Sequence, residues 1–142
     1  MILDSVFDAL LTALVVVGLM KLWRKIKRPL VYVVEDSESD IMLLKMNTAF
    51  EKYDVRYFRS LESIGFRLAL NPPKAVIVDY KLAGKTNGDQ LFRFCWRNNI
   101  PVLMTTAYDG EIMGVDAKYI AKKSSDKSYY LQIENFLKEV SA

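Results

Sequence analysis

The 142-residue chain has no histidine and one cysteine. Without histidine, Ser-His and Cys-His catalysis are excluded. A single cysteine excludes a disulfide framework, and together with the missing histidine it excludes the usual zinc sites. Glycine (6) and proline (4) are scarce and 51% of residues are hydrophobic, so collagen-like, low-complexity and disordered classes are excluded too. Any chemistry must use carboxylates, hydroxyls, lysines or a metal held by oxygen ligands. The length suits one ordinary domain.

A spread basic surface is also missing. The net charge is +3, and residues 1–28 account for all of it, with five basic residues against Asp4 and Asp8. Residues 29–142 are charge-balanced. Basic character confined to one short cluster, without interleaved aromatics, argues against nucleic-acid binding.

The basic cluster follows an apolar run. Residues 9–20 (ALLTALVVVGLM) carry no charge, and Ile2, Leu3, Val6 and Phe7 extend the run backwards. As a helix, residues 2–23 span about 33 Å at about 1.5 Å per residue, enough to cross a bilayer. Asp4 and Asp8 would then lie at the outer interface, with Trp23 and the basic residues at the inner one. This places the C-terminal part in the cytoplasm and the chain in the inner membrane as a single pass. A cleaved signal peptide should begin with positive charge, whereas this segment begins with acids. A surface helix needs a polar face, which the run lacks. A core or oligomerisation helix is the remaining alternative. The domain reading is therefore 1–28, a membrane-anchor helix with its basic juxtamembrane segment, and 29–142, a folded domain.

From residue 30 the pattern alternates. Residues 30–34 (LVYVV), 55–58, 75–78 (AVIV), 101–104 (PVLM) and 119–121 read as strands, the clearest of them continuously apolar. Residues 38–52, 60–70, 89–97 and 127–140 read as helices, the last with Tyr130, Ile133, Phe136, Leu137 and Val140 on one stripe. Strand–helix alternation with apolar strands predicts an α/β fold, a parallel sheet covered on both faces. Ligands bind such sheets at the carboxyl ends of the strands. There stand Glu35 and Asp36, then Asp79, then Thr105 and Thr106, then Lys122 and Lys123. Converging carboxylates repel one another, and a hard divalent cation resolves the repulsion. Lysine and hydroxyl groups can then hold the oxygens of a phosphoryl group. Taken alone, Glu35 and Asp36 could simply cap the next helix.

The ordered set of motifs VYVVED, VIVDYKL, PVLMTTA and KYIAKK resembles the response-regulator receiver domain of two-component signalling, over residues 30–140. The resemblance implies a flavodoxin-like, doubly wound five-stranded sheet of order 2-1-3-4-5. It implies Asp79 as phosphoacceptor, Mg²⁺ held by Glu35, Asp36, Asp79 and the Lys81 backbone carbonyl, and Lys122 paired with the phosphoryl group. Thr106 and Tyr119 would be the switch residues. A histidine kinase or phosphotransfer protein would donate the phosphoryl group. Output would pass to a downstream protein by contact, since no effector domain follows residue 142. Beyond phosphoryl acceptance and hydrolysis no enzymatic activity is implied.

Departures from the family pattern accompany the likeness. Ala83 and Lys123 stand where the family usually has proline, and the loop before Gly88 is one residue longer. Gly110 and Gly114 weaken any helix between Tyr108 and Lys118, at about 1 kcal/mol each. These departures support an alternative, a phosphorylation-independent pseudo-receiver that acts as an assembly module. Lys123 reads as a solvated charge, Tyr119 equally as core, and Cys95 and Trp96 as packing residues. The Gly84-Lys85-Thr86 tripeptide is not a phosphate-binding loop, because position 79 would have to be glycine.

Overall fold

The computed structural model describes residues 1–82, 87–124 and 126–142, with residues 24–27 described in backbone only. Helix α1 (Ile2–Lys27) leads into strand β1 (Leu30–Val34). Helix α2 (Glu38–Met46), β2 (Asp54–Phe58), the short helices α3 (Leu61–Ile64) and α4 (Arg67–Leu70), and β3 (Ala75–Asp79) follow. Helix α5 (Gly88–Arg97), β4 (Val102–Thr106), β5 (Ile120–Lys122) and α6 (Lys127–Ser141) complete the chain. All five strands are parallel, in the order β2-β1-β3-β4-β5. The predicted α/β architecture is the one observed.

The strands are buried on both faces, which is why they read as unbroken apolar runs. Side chains alternate across the sheet, so each strand feeds two cores. Tyr32, Val34, Val76, Val78, Val102 and Met104 pack with Leu91, Phe92 and Cys95 of α5. Val31, Val33, Ala75, Ile77, Leu103 and Ala121 pack with Leu44 of α2 and with Tyr129, Ile133 and Leu137 of α6. Each such buried aliphatic side chain contributes about 1.5–3 kcal/mol. The Tyr53 hydroxyl ties the second core to α6 by donating to the Leu137 carbonyl at 3.0 Å.

Local chemistry divides two predicted helices. The stretch 38–52 is α2 followed by a 3₁₀ segment, Thr48–Lys52, because Asn47 leaves helical geometry and caps the second piece through its side chain. The stretch 60–70 is two single turns, broken at Gly65. Its φ of +52° is a backbone conformation open to glycine and strained for other residues. Between Tyr108 and Asp116 there is no helix, and a 3₁₀ turn at Ala117–Tyr119 enters β5, as the glycines there predict.

Helix α1 stands apart from both cores. Its apolar side chains from Ile2 to Trp23 are exposed on every side, including the consecutive Leu14, Val15, Val16 and Val17. The 22 residues Ile2–Trp23 are long and apolar enough to cross a membrane. The reading of this helix as a core element of the domain fails, because none of Ile2–Trp23 is buried.

Candidate functional site

The carboxyl ends of β3, β4 and β5 meet at a cleft of about 460 Å³ lined by Asp79, Lys81, Thr106, Ala107, Tyr108, Asp109, Gly110 and Lys123. The sheet pleat decides which side chains share this place. Val33 and Glu35, Ile77 and Asp79, and Ala121 and Lys123 are two-residue steps along one face. The core formed by Val33, Ile77 and Ala121 therefore ends in a polar cap of Glu35, Asp79 and Lys123.

One ion-pair network organises that cap. The Lys123 ammonium lies 2.6 Å from Glu35 Oε2, 2.9 Å from Asp40 Oδ2 and 3.3 Å from Asp79 Oδ1. Glu35 uses its other oxygen to accept the Ser37 backbone N–H at 3.0 Å. Asp36 stands next to Glu35, and one carboxylate oxygen from each of Glu35, Asp36 and Asp79 falls within 4.8 Å of the other two. Three hard oxygen donors at this separation suit a small divalent cation of the Mg²⁺ kind, so the residues present fit the metal that the motifs imply.

The electrostatics follow from burial. Asp79 is buried, and burial together with the neighbouring Glu35 charge pushes its carboxyl up to about 6, against the opposing pull of Lys123. Glu35 is also raised by burial, in part offset by Lys123 and the Ser37 N–H. Burial opposes the charge of Lys123, but its bonds to Glu35 and Asp40 and the attraction of Asp79 outweigh it and hold the ammonium above its ordinary value. The cap thus sets one firmly protonated lysine against the Glu35 and Asp79 carboxyls.

The structure places Lys123, and not Lys122, at the acidic cluster. Lys122, expected at the acidic cluster, is exposed and its ammonium donates to the Tyr108 carbonyl. Lys122 pairs with Thr106 in the ladder and shares the face of Ile120, opposite to that of Ala121. Lys123, expected to be a solvated charge, is the cluster's cation. Motif matching chose Lys122 by its place after Tyr119. Face parity, Val33 to Glu35 against Ala121 to Lys123, carried the signal for Lys123.

Other expected residues fall as follows. Thr106 is buried and opens on the cleft, and its Oγ1 accepts the Tyr108 N–H at 2.9 Å. Thr105 faces the second core, where it is bonded to Tyr129. Lys81 lines the cleft beside Asp79. Tyr119 lies away from the cluster, half-buried and edge-on to Trp96 at 4.8 Å between ring centres. The loop departures at Ala83 and the Gly84-Lys85-Thr86 tripeptide lie outside the described residues. Sequence reasoning missed Asp40, which lies in the first turn of α2, and the role of Gly88. A Cβ on Gly88 would stand 2.0 Å from the Asp79 carbonyl oxygen, so only glycine lets α5 start this close to the acidic strand end.

No family model and no curated protein matches the chain. Solved structures do match it. The signal receiver domain of a Luxo repressor protein from Vibrio parahaemolyticus is 25% identical, with a TM-score of 0.62 over 80% of this chain and 93% of that one. A response regulator from Chloroflexus aurantiacus is 22% identical, with a TM-score of 0.62 over 79% of this chain and 99% of that one. The REC domain of the PhyR response regulator from Erythrobacter litoralis is 19% identical, with a TM-score of 0.61 over 80% of this chain and 89% of that one. The fold is the receiver fold. The strand order 2-1-3-4-5 and the position of the cleft at its carboxyl edge are those of that architecture.

Proposed function

We propose that the chain is a membrane-tethered receiver that accepts a phosphoryl group on Asp79. The observation that carries this reading is the buried Asp79 carboxylate at an accessible cleft, with Lys123, Thr106 and two further acids around it. Glu35, Asp36 and Asp79 would hold Mg²⁺, with the Lys81 carbonyl as a further ligand. The bound ion would neutralise charge that develops on the transferred group. An Asp79 oxygen attacks phosphorus, forming a P–O bond as the P–N bond of a partner's phosphohistidine breaks and imidazole leaves. These 142 residues contain no histidine, so the donor histidine lies outside them, on a histidine kinase or a phosphotransfer protein. Near neutral pH Asp79 is ionised yet more basic than an ordinary aspartate, which favours it as a nucleophile. Lys123 supplies the ammonium for the phosphoryl oxygens. The Thr106 hydroxyl, now accepting from Tyr108, donates to them in turn. Movement of Thr106, transmitted to Tyr119 against Trp96, would bias a two-state surface read by a downstream protein.

Apolar side chains all round α1 support its reading as a single membrane span, with residues 29–142 in the cytoplasm. Two experiments test the proposal. The full-length chain is incubated with Mg²⁺ and a small phosphodonor, and the adduct is mapped by mass spectrometry. A modified Asp79, absent in Asp79→Asn, is expected, and no adduct would leave the fold as a phosphorylation-independent assembly module. In fractionated cells the full chain is expected with membranes and residues 27–142 in the soluble fraction. Full-length chain in the soluble fraction would refute the anchor.

A further inference from the structure

Asp40 has no part in the acidic triad, yet it takes one of the strongest bonds of the Lys123 ammonium. The contact is 2.9 Å long and joins residues far apart in sequence, across the gap between α2 and the end of β5. Helix capping alone explains an acid in the first turn of α2, where Ser37 Oγ accepts the Asp40 N–H. It does not explain why the carboxylate points at Lys123. The ammonium sits closer to Glu35 and Asp40, at 2.6 and 2.9 Å, than to Asp79, at 3.3 Å. An ammonium has three donors; Glu35 and Asp40 each accept one, and Asp79 stands at ion-pair distance.

We propose that Asp40 is a positioning residue that draws Lys123 toward itself and Glu35, favouring the bound cation and disfavouring the phosphoryl group. The inference rests on the phosphoacceptor reading above and deepens it. Two effects of the Asp40 charge act together. It adds a fourth carboxylate to the neighbourhood of the divalent cation, which attracts it. It also repels an anionic group on Asp79 and competes with that group for Lys123. A phosphoryl group on Asp79 therefore shares Lys123 with Asp40. The device shortens the lifetime of the modified state and keeps the unmodified state ready with its metal.

The test uses the full-length chain in detergent. Mg²⁺ affinity is measured by calorimetry without any phosphoryl analogue, and beryllofluoride affinity at saturating Mg²⁺ by the shift in thermal unfolding. In Asp40→Asn, Mg²⁺ binding is expected to weaken about three- to tenfold and beryllofluoride binding to tighten by a similar factor. Asp40→Glu restores both toward wild type. A merely structural role would weaken both together. Parallel weakening, or no change in Asp40→Asn while wild type binds both ligands, overturns the inference and leaves the phosphoacceptor reading intact. A wild-type chain that binds neither ligand overturns that reading and this inference with it.

Discussion

Replacing Asp79 by asparagine should stabilise the metal-free protein, and the gain should depend on pH in a defined direction. Burial and the Glu35 charge raise the Asp79 carboxyl from 3.8 to about 6. A carboxyl that binds its proton more tightly in the fold than in the unfolded chain favours folding at low pH. That contribution is lost as pH rises from about 4 through about 6. Each tenfold difference in proton affinity is worth about 1.4 kcal/mol, so ionised Asp79 costs the fold up to ~3 kcal/mol near pH 7.5. The asparagine loses the longest of the Lys123 contacts, but Lys123 keeps Glu35 and Asp40. A net gain of about 1–3 kcal/mol near pH 7.5 follows, shrinking to nearly nothing at about pH 4. Urea unfolding of the full-length chain in detergent with a metal chelator, followed by circular dichroism at both pH values, measures it. Equal stability of the two proteins near pH 7.5, or a gain larger at low pH, would refute the claim that Asp79 is held ionised against its burial.

Other substitutions test the remaining parts of the site. Lys123→Met strands buried acids and should destabilise the fold by about 3 kcal/mol, whereas Lys122→Met should cost about 0.5 kcal/mol or less, both read from urea midpoints. Adduct formation with a small phosphodonor should fall in the first variant and persist in the second, which would place the phosphoryl-binding role on Lys123. Gly88→Ala drives a methyl against the Asp79 carbonyl oxygen and should lower stability by about 1–3 kcal/mol, with Mg²⁺ binding weakened as the strand end shifts. Mg²⁺ at tenfold excess over its Kd should raise the unfolding free energy of the wild type by about 1.4 kcal/mol, and Asp36→Asn should abolish most of that increase.

Much of the molecule is legible in its residues taken in order. Unbroken runs such as Val31–Val34 and Ala75–Val78 identify strands covered on both sides, because no solvent face interrupts them with polar residues. Alternation with helices then dictates a parallel sheet, and the acids at strand ends mark the edge where chemistry gathers. The uniform apolar surface of α1 is equally plain, since twelve uncharged residues in a row leave no polar face. Local interruptions were harder to see. The break at Gly65 depends on a backbone angle that composition does not reveal, and the cap at Asn47 competes with a helical pattern that runs past it.

What order along the chain could not decide was which of two adjacent lysines enters the cleft. Lys122 and Lys123 have the same chemistry and differ by one step of the pleat, which sends them to opposite faces of β5. The partnership of Asp40 with Lys123 is likewise invisible in sequence, because it exists only once α2 packs beside the end of the sheet. Residue types and their periodicity determined the architecture and the acidic edge. Only the tertiary structure decided the charge network, since an ion pair depends on distances of a few ångströms between segments that the chain itself keeps far apart.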